Sequence, residues 1–271
     1  MEFQTDIFKG VQPPSSSKYN LAGAKFPTNQ EVYFMSKWHE LFERYEMARI
    51  FLRKTQEDNW DYWFNKMDDE VAQKGLELIF KSQMLEIALI DYNILVDLTW
   101  TMTYVSAEYI LYKFDENGNV INKDEITGMH PIEESLEMLR KMENGVSTPH
   151  AEGNPFNYLK VMRPEFSRAI DLIVHFWRDF SNSKIRNTYN YIKHRGTPCY
   201  KEIEALRDTR LFNLIIDKES YPTDIKDVRM MLSMDDLIDE LRKFDDEKLY
   251  PYIVELIEEL KIAVNPSPMI L

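Results

Sequence analysis

The stretch from Asp69 to Tyr112 constrains the fold of this chain most strongly, because its apolar residues recur with the spacing of an α-helix. It is too long for one ordinary helix. We predict two packed helices, or one helix bent near Thr99–Thr103, where threonines lower helix propensity. The chain has only eight glycines in 271 residues, whereas sandwiches and barrels use many in their tight turns. The sequence therefore predicts a mainly α fold, a helical bundle with a small β-hairpin in the C-terminal third.

Helix-start signals locate helices near both ends of the chain. Thr28 and Glu31 form a capping box, and Ser233 with Asp236 caps a later helix. A last amphipathic helix is predicted over residues 247–263. The first helix carries apolar residues at steps of three and four, namely Val32, Met35, Trp38, Leu41, Phe42, Tyr45 and Ile50. The first and last helices therefore each have an apolar face to bury.

The C-terminal half of the chain shows one long helical pattern and two strand-like segments. The helix is predicted from residue 165 to residue 194, opened near Pro164 and ended by Gly196. Residues 211–216 and 228–232 are typical of short strands joined by a polar loop. These two strands would form the hairpin of the C-terminal third.

Composition along the chain indicates its domain organisation. Residues 1–27 contain two adjacent prolines and three consecutive serines, so we predict a flexible N-terminal arm. Asn117-Gly118 is the usual turn of a β-hairpin. We predict a single helical domain over residues 28–271, with a sub-boundary near 144–160 as the alternative.

Charge and cysteine content exclude several classes of function. The net charge of −13 argues against a protein that coats nucleic acid, because such binding needs a broad basic surface. Cys199 is the only cysteine, so neither an intrachain disulfide nor a cysteine zinc cluster can form. Glycine-rich phosphate loops and Gly-x-Ser-x-Gly motifs do not occur. We therefore expect a site without metal or other cofactor.

The sequence also bears on cellular location. The first ten residues, MEFQTDIFKG, are acidic and lack the apolar core of a secretory signal. Residues 94–112 form the most hydrophobic run, but this run contains Asp97 and Glu108, so we expect a buried helix and no membrane association. Together with the single cysteine, these features predict a cytoplasmic protein.

Residues 181–201 contain no Asp or Glu, although acidic residues outnumber basic ones by 13 in the whole chain. At about 100° per residue, Ile185, Tyr189 and Ile192 fall on one arc of a helix and are expected to anchor it in the core. A neighbouring arc carries five polar residues, which are Arg186, Asn187, Asn190, Lys193 and His194. The polar arc therefore borders the packed face, where a cleft is usually lined.

These residue types suit phosphodiester chemistry. The Arg186 guanidinium can stabilise the additional negative charge of a phosphorane-like transition state. An imidazole can both accept and donate a proton, so His194 is suited to take a proton from a ribose 2′-OH or to supply one to the leaving group. Asparagine can orient either group, lysine attracts phosphate, and Tyr189 or Tyr191 can stack on a base, which contributes about 1–3 kcal/mol per base. The window therefore predicts a site for phosphate or RNA.

Arg186-Asn187, followed by the run Lys-His-Arg-Gly that contains His194, resembles the Arg-x(4–6)-His signature of the HEPN superfamily. The resemblance covers mainly residues 165–196 and a general helical context. Seven residues separate Arg186 from His194, which is one more than the usual maximum of that signature. The longer spacing still leaves both side chains on one helical face.

HEPN proteins are small helical bundles, and many are metal-independent ribonucleases of toxin–antitoxin, abortive-infection and CRISPR-associated systems, often as dimers. The resemblance implies that Arg186 stabilises phosphate and that His194 is the catalytic acid or base. It further implies an RNA substrate, a homodimer, and an antitoxin or defence component as protein partner. The residues expected to contact RNA are Asn187, Asn190, Tyr191, Lys193 and Arg195.

Other interpretations of the same residues remain open. Lys193, His194 and Arg195 also suit the C-terminal end of a helix, where cations interact favourably with the dipole. A phosphate or RNA site without catalysis fits them too. A second hypothesis is a non-catalytic acidic helical protein that recognises or regulates another protein through the acidic stretches at 235–240 and 255–259.

Charged residues elsewhere give weaker functional signals. His175 lies four residues from both Asp171 and Asp179, opposite the apolar face, and is expected on a solvated charged surface. Asp91 interrupts a strongly apolar stretch. A buried carboxylate needs a partner, and an arginine of the 165–196 helix could supply it.

Overall fold

The computed structural model describes residues 29–57, 69–108, 112–114, 120–123, 140, 143–144, 155–206, 212–216, 219–223 and 229–263. The described chain is mostly helical with short strands, so the predicted mainly α fold is confirmed. The arm predicted over residues 1–27 lies outside the described residues.

The α-helices of the described chain are α1 (Asn29–Lys54), α2 (Glu70–Glu108), α3 (Pro155–Met162), α4 (Ser167–Phe180), α5 (Lys184–Arg195), α6 (Lys201–Glu204), α7 (Met234–Phe244) and α8 (Tyr250–Ala263). A 3₁₀ turn, Pro164–Phe166, precedes α4, and a π-helical segment, Asp245–Leu249, connects α7 with α8. The strands are β1 (Tyr112–Phe114), β2 (Val120–Lys123), β3 (Cys199–Tyr200), β4 (Phe212–Ile216), β5 (Glu219–Thr223) and β6 (Met231–Leu232).

The chain divides into two compact units, each built from segments that are distant in sequence. The first unit takes in residues between 45 and 93 and between 182 and 248, and it contains α5 with the candidate residues. Of the described residues, the second unit takes in 29–44, those between 94 and 181, and 249–263.

Helix α2 is one continuous helix of 39 residues, so the prediction of two packed helices is wrong. The threonines near its C-terminal end do not interrupt it. The Thr99 hydroxyl bonds to the Val96 carbonyl and the Thr103 hydroxyl to the Thr99 carbonyl, each at 2.7 Å. Because these hydroxyls are satisfied within the helix, they can be buried there without ending it.

The prediction of a single helix over residues 165–194 is also wrong. The helix is interrupted at residues 181–183, which separate α4 from α5. The Ser183 side chain accepts the N–H of Arg186 at 3.1 Å, and the Ser183 carbonyl accepts the N–H of Asn187 at 3.0 Å. This N-cap satisfies backbone donors that a new helix leaves open, and so it starts α5 at Lys184.

The hairpin of the C-terminal third is present and both predicted strands occur, the second only as Met231–Leu232, but the predicted pairing between them is wrong. Strand β4 pairs antiparallel with β5, with Phe212 opposite Thr223. The two strands are close in sequence, and a short connection costs little entropy to close. Strand β6 instead pairs parallel with β3. Strands β1 and β2 pair antiparallel, and the turn predicted at Asn117-Gly118 lies outside the described residues.

Helix α1 buries most of the apolar face that its spacing predicts. Trp38, Leu41, Phe42 and Tyr45 are buried, whereas Ile50 is 38% exposed and Arg49 is buried in its place. Arg49 is buried because its guanidinium pairs with the buried carboxylate of Asp245, 2.8 Å away.

The two C-terminal helices start from different signals. The Ser233 hydroxyl accepts the N–H of Asp236 at 3.2 Å, which confirms the predicted cap of α7. Helix α8 begins at Tyr250 and not at residue 247, because the π-helical segment occupies the intervening residues.

Candidate functional site

Helix α5 carries all the residues predicted to contact RNA, and its bounds fix where each of them lies. Arg186 is in the first turn, next to the Ser183 cap, and His194 is in the last turn. Gly196 ends the helix with φ of 92°, and its N–H bonds to the Ile192 carbonyl at 3.2 Å. The sequence contained a signal for the start of a new helix at this point, because Ser183 is a preferred N-cap residue.

The inner face of α5 matches the predicted one only in part. Ile185 is buried, as expected, while Tyr189 and Ile192 are half-buried. Thr188 is buried although it was not assigned to the core. Asn187 and Asn190 are exposed, so the predicted polar arc does lie at the surface of its unit.

Arg186 is half-buried, and its guanidinium contacts Asn93 and Tyr189. Its Nη1 donates to Oδ1 of Asn93 at 3.2 Å. Its guanidinium carbon lies 5.1 Å from the centroid of the Tyr189 ring, within range of a cation–π interaction. Asn93 was missed by the sequence reasoning, although an amide inside an apolar run of α2 needs a buried partner.

The C-terminal end of α5 presents a basic surface. Lys193, His194 and Arg195 are all exposed. Tyr191 is half-buried, and its hydroxyl accepts the backbone N–H of Met230 at 3.1 Å, which ties the helix to the residue before β6. This hydroxyl therefore has a structural partner, while the three basic side chains are exposed.

Arg229 was not singled out from the sequence, yet it organises the chain that leaves α5. Its Nη2 donates to the carbonyls of Thr197 and Pro198, the latter at 3.2 Å. These carbonyls follow directly after the basic end of α5. Arg229 therefore fixes the path of the chain beside Lys193, His194 and Arg195.

A buried carboxylate lies in the same unit. Glu86 on α2 is buried and accepts the Tyr200 hydroxyl at 3.1 Å. Burial raises the pKa of the Glu86 carboxyl above its ordinary value, and the Tyr200 hydrogen bond and the Arg229 charge partly oppose that shift. Tyr200 and Arg229 thus link Glu86 to the segment after α5.

Arg186 and His194 are eight positions apart on one regular helix. At about 1.5 Å and 100° per residue, they are separated by about 12 Å along the axis and about 80° around it. Asn190 lies midway and is exposed. The structure therefore places the two predicted catalytic residues at opposite ends of α5, on neighbouring parts of its surface.

The other sequence candidates have local roles. His175 is exposed, and its Nδ1 lies 2.9 Å from Arg178 Nη2, while Asp171 pairs with Lys160. These contacts form a solvated charged face, as expected. Cys199 is buried in β3, so its thiol is not accessible to a substrate.

A cavity of about 450 Å³ lies elsewhere in the first unit. Its lining includes Lys74 and Lys81 of α2 on one side and Glu202 and Asp235 on the other. Glu202 accepts the backbone N–H of Met234, so it occupies the N-terminus of α7. None of the described residues that line this cavity belongs to α5.

The described residues contain neither a candidate metal site nor a candidate membrane-spanning helix. Within these ranges, no group of three or more His, Cys, Asp or Glu side chains is placed to hold a metal ion. Among the helices described, none is both long enough and apolar enough to cross a membrane.

Comparison of the chain with protein-family models, with curated proteins and with solved structures found no match.

Proposed function

We propose that this is an RNA-binding protein of the HEPN type, whose α5 surface binds the phosphate backbone and cleaves it without a metal. The main support is the combination on one short helix of an oriented guanidinium, Arg186, with the exposed basic residues Lys193, His194 and Arg195. Helix α5 contains no acidic residue. A phosphate approaching either end of this helix therefore meets positive charge and no acidic residue of the helix itself, although the chain is acidic overall.

The spacing of the charged groups favours an extended ligand. A single phosphate would meet either the Arg186 end or the His194 end, whereas a strand lying along α5 would meet both, about 12 Å apart. The exposed Asn190 lies between them and can donate to the same strand. RNA supplies both the repeated phosphates and the 2′-OH that metal-free cleavage requires.

In the proposed reaction, His194 accepts the proton of a ribose 2′-OH while the 2′ oxygen attacks the adjacent phosphorus. The bond from phosphorus to the 5′ oxygen breaks, that oxygen takes up a proton, and a 2′,3′-cyclic phosphate remains. In a homodimer, Arg186 of the second protomer would stabilise the negative charge that develops on the phosphoryl oxygens, because one phosphate cannot meet both Arg186 and His194 of the same helix. The reaction needs a base for the 2′-OH proton and an acid for the 5′ oxygen. In a homodimer, the second protomer's His194 would supply the second of these roles.

A nuclease assay in EDTA tests the catalytic proposal. Wild-type protein, His194→Ala and Arg186→Ala are incubated with a single-stranded RNA. We expect His194→Ala to lose about 10²–10⁴-fold in rate, because that is the usual contribution of a general acid or base. His175→Ala is the matched control, since His175 is an exposed histidine outside α5. Equal cleavage by wild type and His194→Ala, or none by wild type, would remove the catalytic claim.

Binding is tested separately from cleavage. The double variant Lys193→Ala/Arg195→Ala removes two exposed cations from the last turn of α5. We expect weaker RNA binding and a salt dependence that is shallower by about 0.7 per lost phosphate contact on a single strand. The control is Arg242→Ala/Lys243→Ala, which removes two exposed cations from the last turn of α7. An equal effect of the two double variants would contradict a site on α5.

The acidic-interaction alternative has weaker support, because some of the acidic groups it needs are already engaged. Glu240 pairs with Lys184 at 2.6 Å, and Glu259 pairs with Arg168 at 2.9 Å. In a pull-down, a protein that binds the wild-type chain and the Lys193→Ala/Arg195→Ala variant equally well would favour this alternative. Loss of RNA binding in the same double variant would favour the α5 site.

A further inference from the structure

Asn93 is a fully buried amide on α2. Its Nδ2 donates to the Leu89 carbonyl at 2.8 Å, and its Oδ1 accepts from Arg186 Nη1 at 3.2 Å. A carbonyl can only accept and a guanidinium can only donate, so these two neighbours fix which end of the amide faces which. The Asn93 oxygen is therefore held toward Arg186 by the backbone of its own helix.

The guanidinium of Arg186 is held between this oxygen and the Tyr189 ring, whose centroid is 5.1 Å from the guanidinium carbon. An arginine side chain has many rotamers, and much of its rotamer entropy is lost when the side chain is ordered. Here the rotamer entropy of Arg186 is lost when the protein folds, before any ligand binds. A phosphate that meets an already ordered guanidinium binds more tightly than one that must order it.

An asparagine orients an arginine differently from an aspartate. Its oxygen accepts a hydrogen bond but adds no negative charge. The Asn93 contact therefore fixes the position of Arg186 without reducing the attraction between Arg186 and an anion.

We infer that Asn93 is a positioning residue that holds the Arg186 guanidinium in place for a phosphate of bound RNA and does not itself contact the RNA. This inference rests on the proposed function, since it assigns Asn93 a part in the same site. It predicts that Asn93 affects RNA only through Arg186. Removing Asn93 should then matter only while Arg186 is present.

A double-mutant cycle tests this dependence. The dissociation constant for a single-stranded RNA is measured for wild type, Asn93→Ala, Arg186→Ala and the double variant. We expect Asn93→Ala to weaken binding about three- to tenfold in the wild-type background, in the range of coupling between contacting residues. In the Arg186→Ala background it should have no further effect. Ser82→Ala is the control, because Ser82 is a buried polar residue of α2 whose hydroxyl bonds to the Ile79 carbonyl.

Asn93→Asp provides a second test that keeps a buried partner for Arg186. The added negative charge beside the guanidinium would weaken its attraction for a phosphate, so we expect weaker RNA binding and a shallower salt dependence. Equal losses from Asn93→Ala in both backgrounds, or unchanged binding by Asn93→Asp, would overturn the positioning role alone. Absence of RNA binding by wild type would overturn the proposed function and this inference together.

Discussion

The carboxylate of Asp245 accepts two hydrogen bonds from Arg49, one from Nε and one from Nη2, each at 2.8 Å. Two tyrosine hydroxyls complete the group: Tyr92 donates to the same carboxylate at 2.6 Å, and Tyr45 also donates to it. Asp245 and both tyrosines are fully buried. Burial and the Asp245 charge raise the pKa of Tyr45 and Tyr92 well above the ordinary value, so both remain donors.

Replacing Asp245 should destabilise the protein strongly. Asp245→Asn leaves the Arg49 charge buried without its counter-charge, and breaking one side of a buried pair costs about 3–5 kcal/mol. Urea denaturation of both proteins measures the difference in the free energy of unfolding. Asp235→Asn on the exposed surface of α7 is the control and should change that free energy by less than about 0.5 kcal/mol. Similar midpoints for wild type and Asp245→Asn would show that the pair contributes nothing to stability.

Glu86→Gln should stabilise the protein at neutral pH. The folded-state pKa of Glu86 is raised, so the folded protein binds the proton more tightly than the unfolded chain does. Its contribution to stability is therefore present below the unfolded pKa of about 4.3 and is lost as the pH rises through the folded pKa. At pH 7 the ionised carboxylate opposes folding, and the neutral glutamine removes that penalty.

The measurement is the urea midpoint of wild type and Glu86→Gln at several pH values. We expect the variant to be the more stable protein near pH 7 and the two to converge as the pH falls below the unfolded pKa of about 4.3. A less stable variant at pH 7 would show that the ionised carboxylate, through Tyr200 and Arg229, supports the fold.

Removing the Ser183 cap should loosen the start of α5. Ser183→Ala deletes the oxygen that accepts the Arg186 N–H, and such changes cost about 1 kcal/mol. Ser183→Gly should cost only a few tenths of a kcal/mol relative to wild type, since glycine is tolerated at an N-cap. Thermal denaturation of the three proteins gives the order. If alanine and glycine are equally tolerated, the side-chain oxygen has no capping role.

Two glycines should respond in opposite directions to alanine. Gly196 has φ of 92° and ψ of −170°, a conformation that only glycine adopts readily, and no atom lies within 4 Å of an added Cβ. Gly196→Ala should therefore cost about 1–3 kcal/mol through backbone strain alone. Gly75 lies within α2, and an added Cβ would meet only Leu206 Cδ1 at 4.0 Å.

Gly75→Ala should therefore stabilise the protein by about 0.5–1 kcal/mol, because alanine is the better helix former and the added methyl fits. Urea denaturation of both variants against wild type gives the sign and size of each change. A stabilising Gly196→Ala would contradict the strained conformation at the end of α5.

Features that depend on neighbouring residues could be predicted from the sequence. The helical spacing placed Trp38, Leu41 and Tyr45 in the core, and Ser233 was identified as a helix cap. The Ser183 cap has the same local chemistry, but the long helical pattern around it concealed the break. Ile50 was assigned to the core because periodicity cannot show that Arg49 has a buried partner.

By itself, the sequence determined the helical class of the fold and the acid-free character of α5, because both follow from residues within a few positions of one another. Only the tertiary structure decided which distant residues meet. Arg49 and Asp245 are 196 positions apart, and Asn93 and Arg186 are 93 apart. Such pairs form because the packing of apolar faces brings their segments together, and a buried polar group is stable only beside a partner that completes its hydrogen bonds.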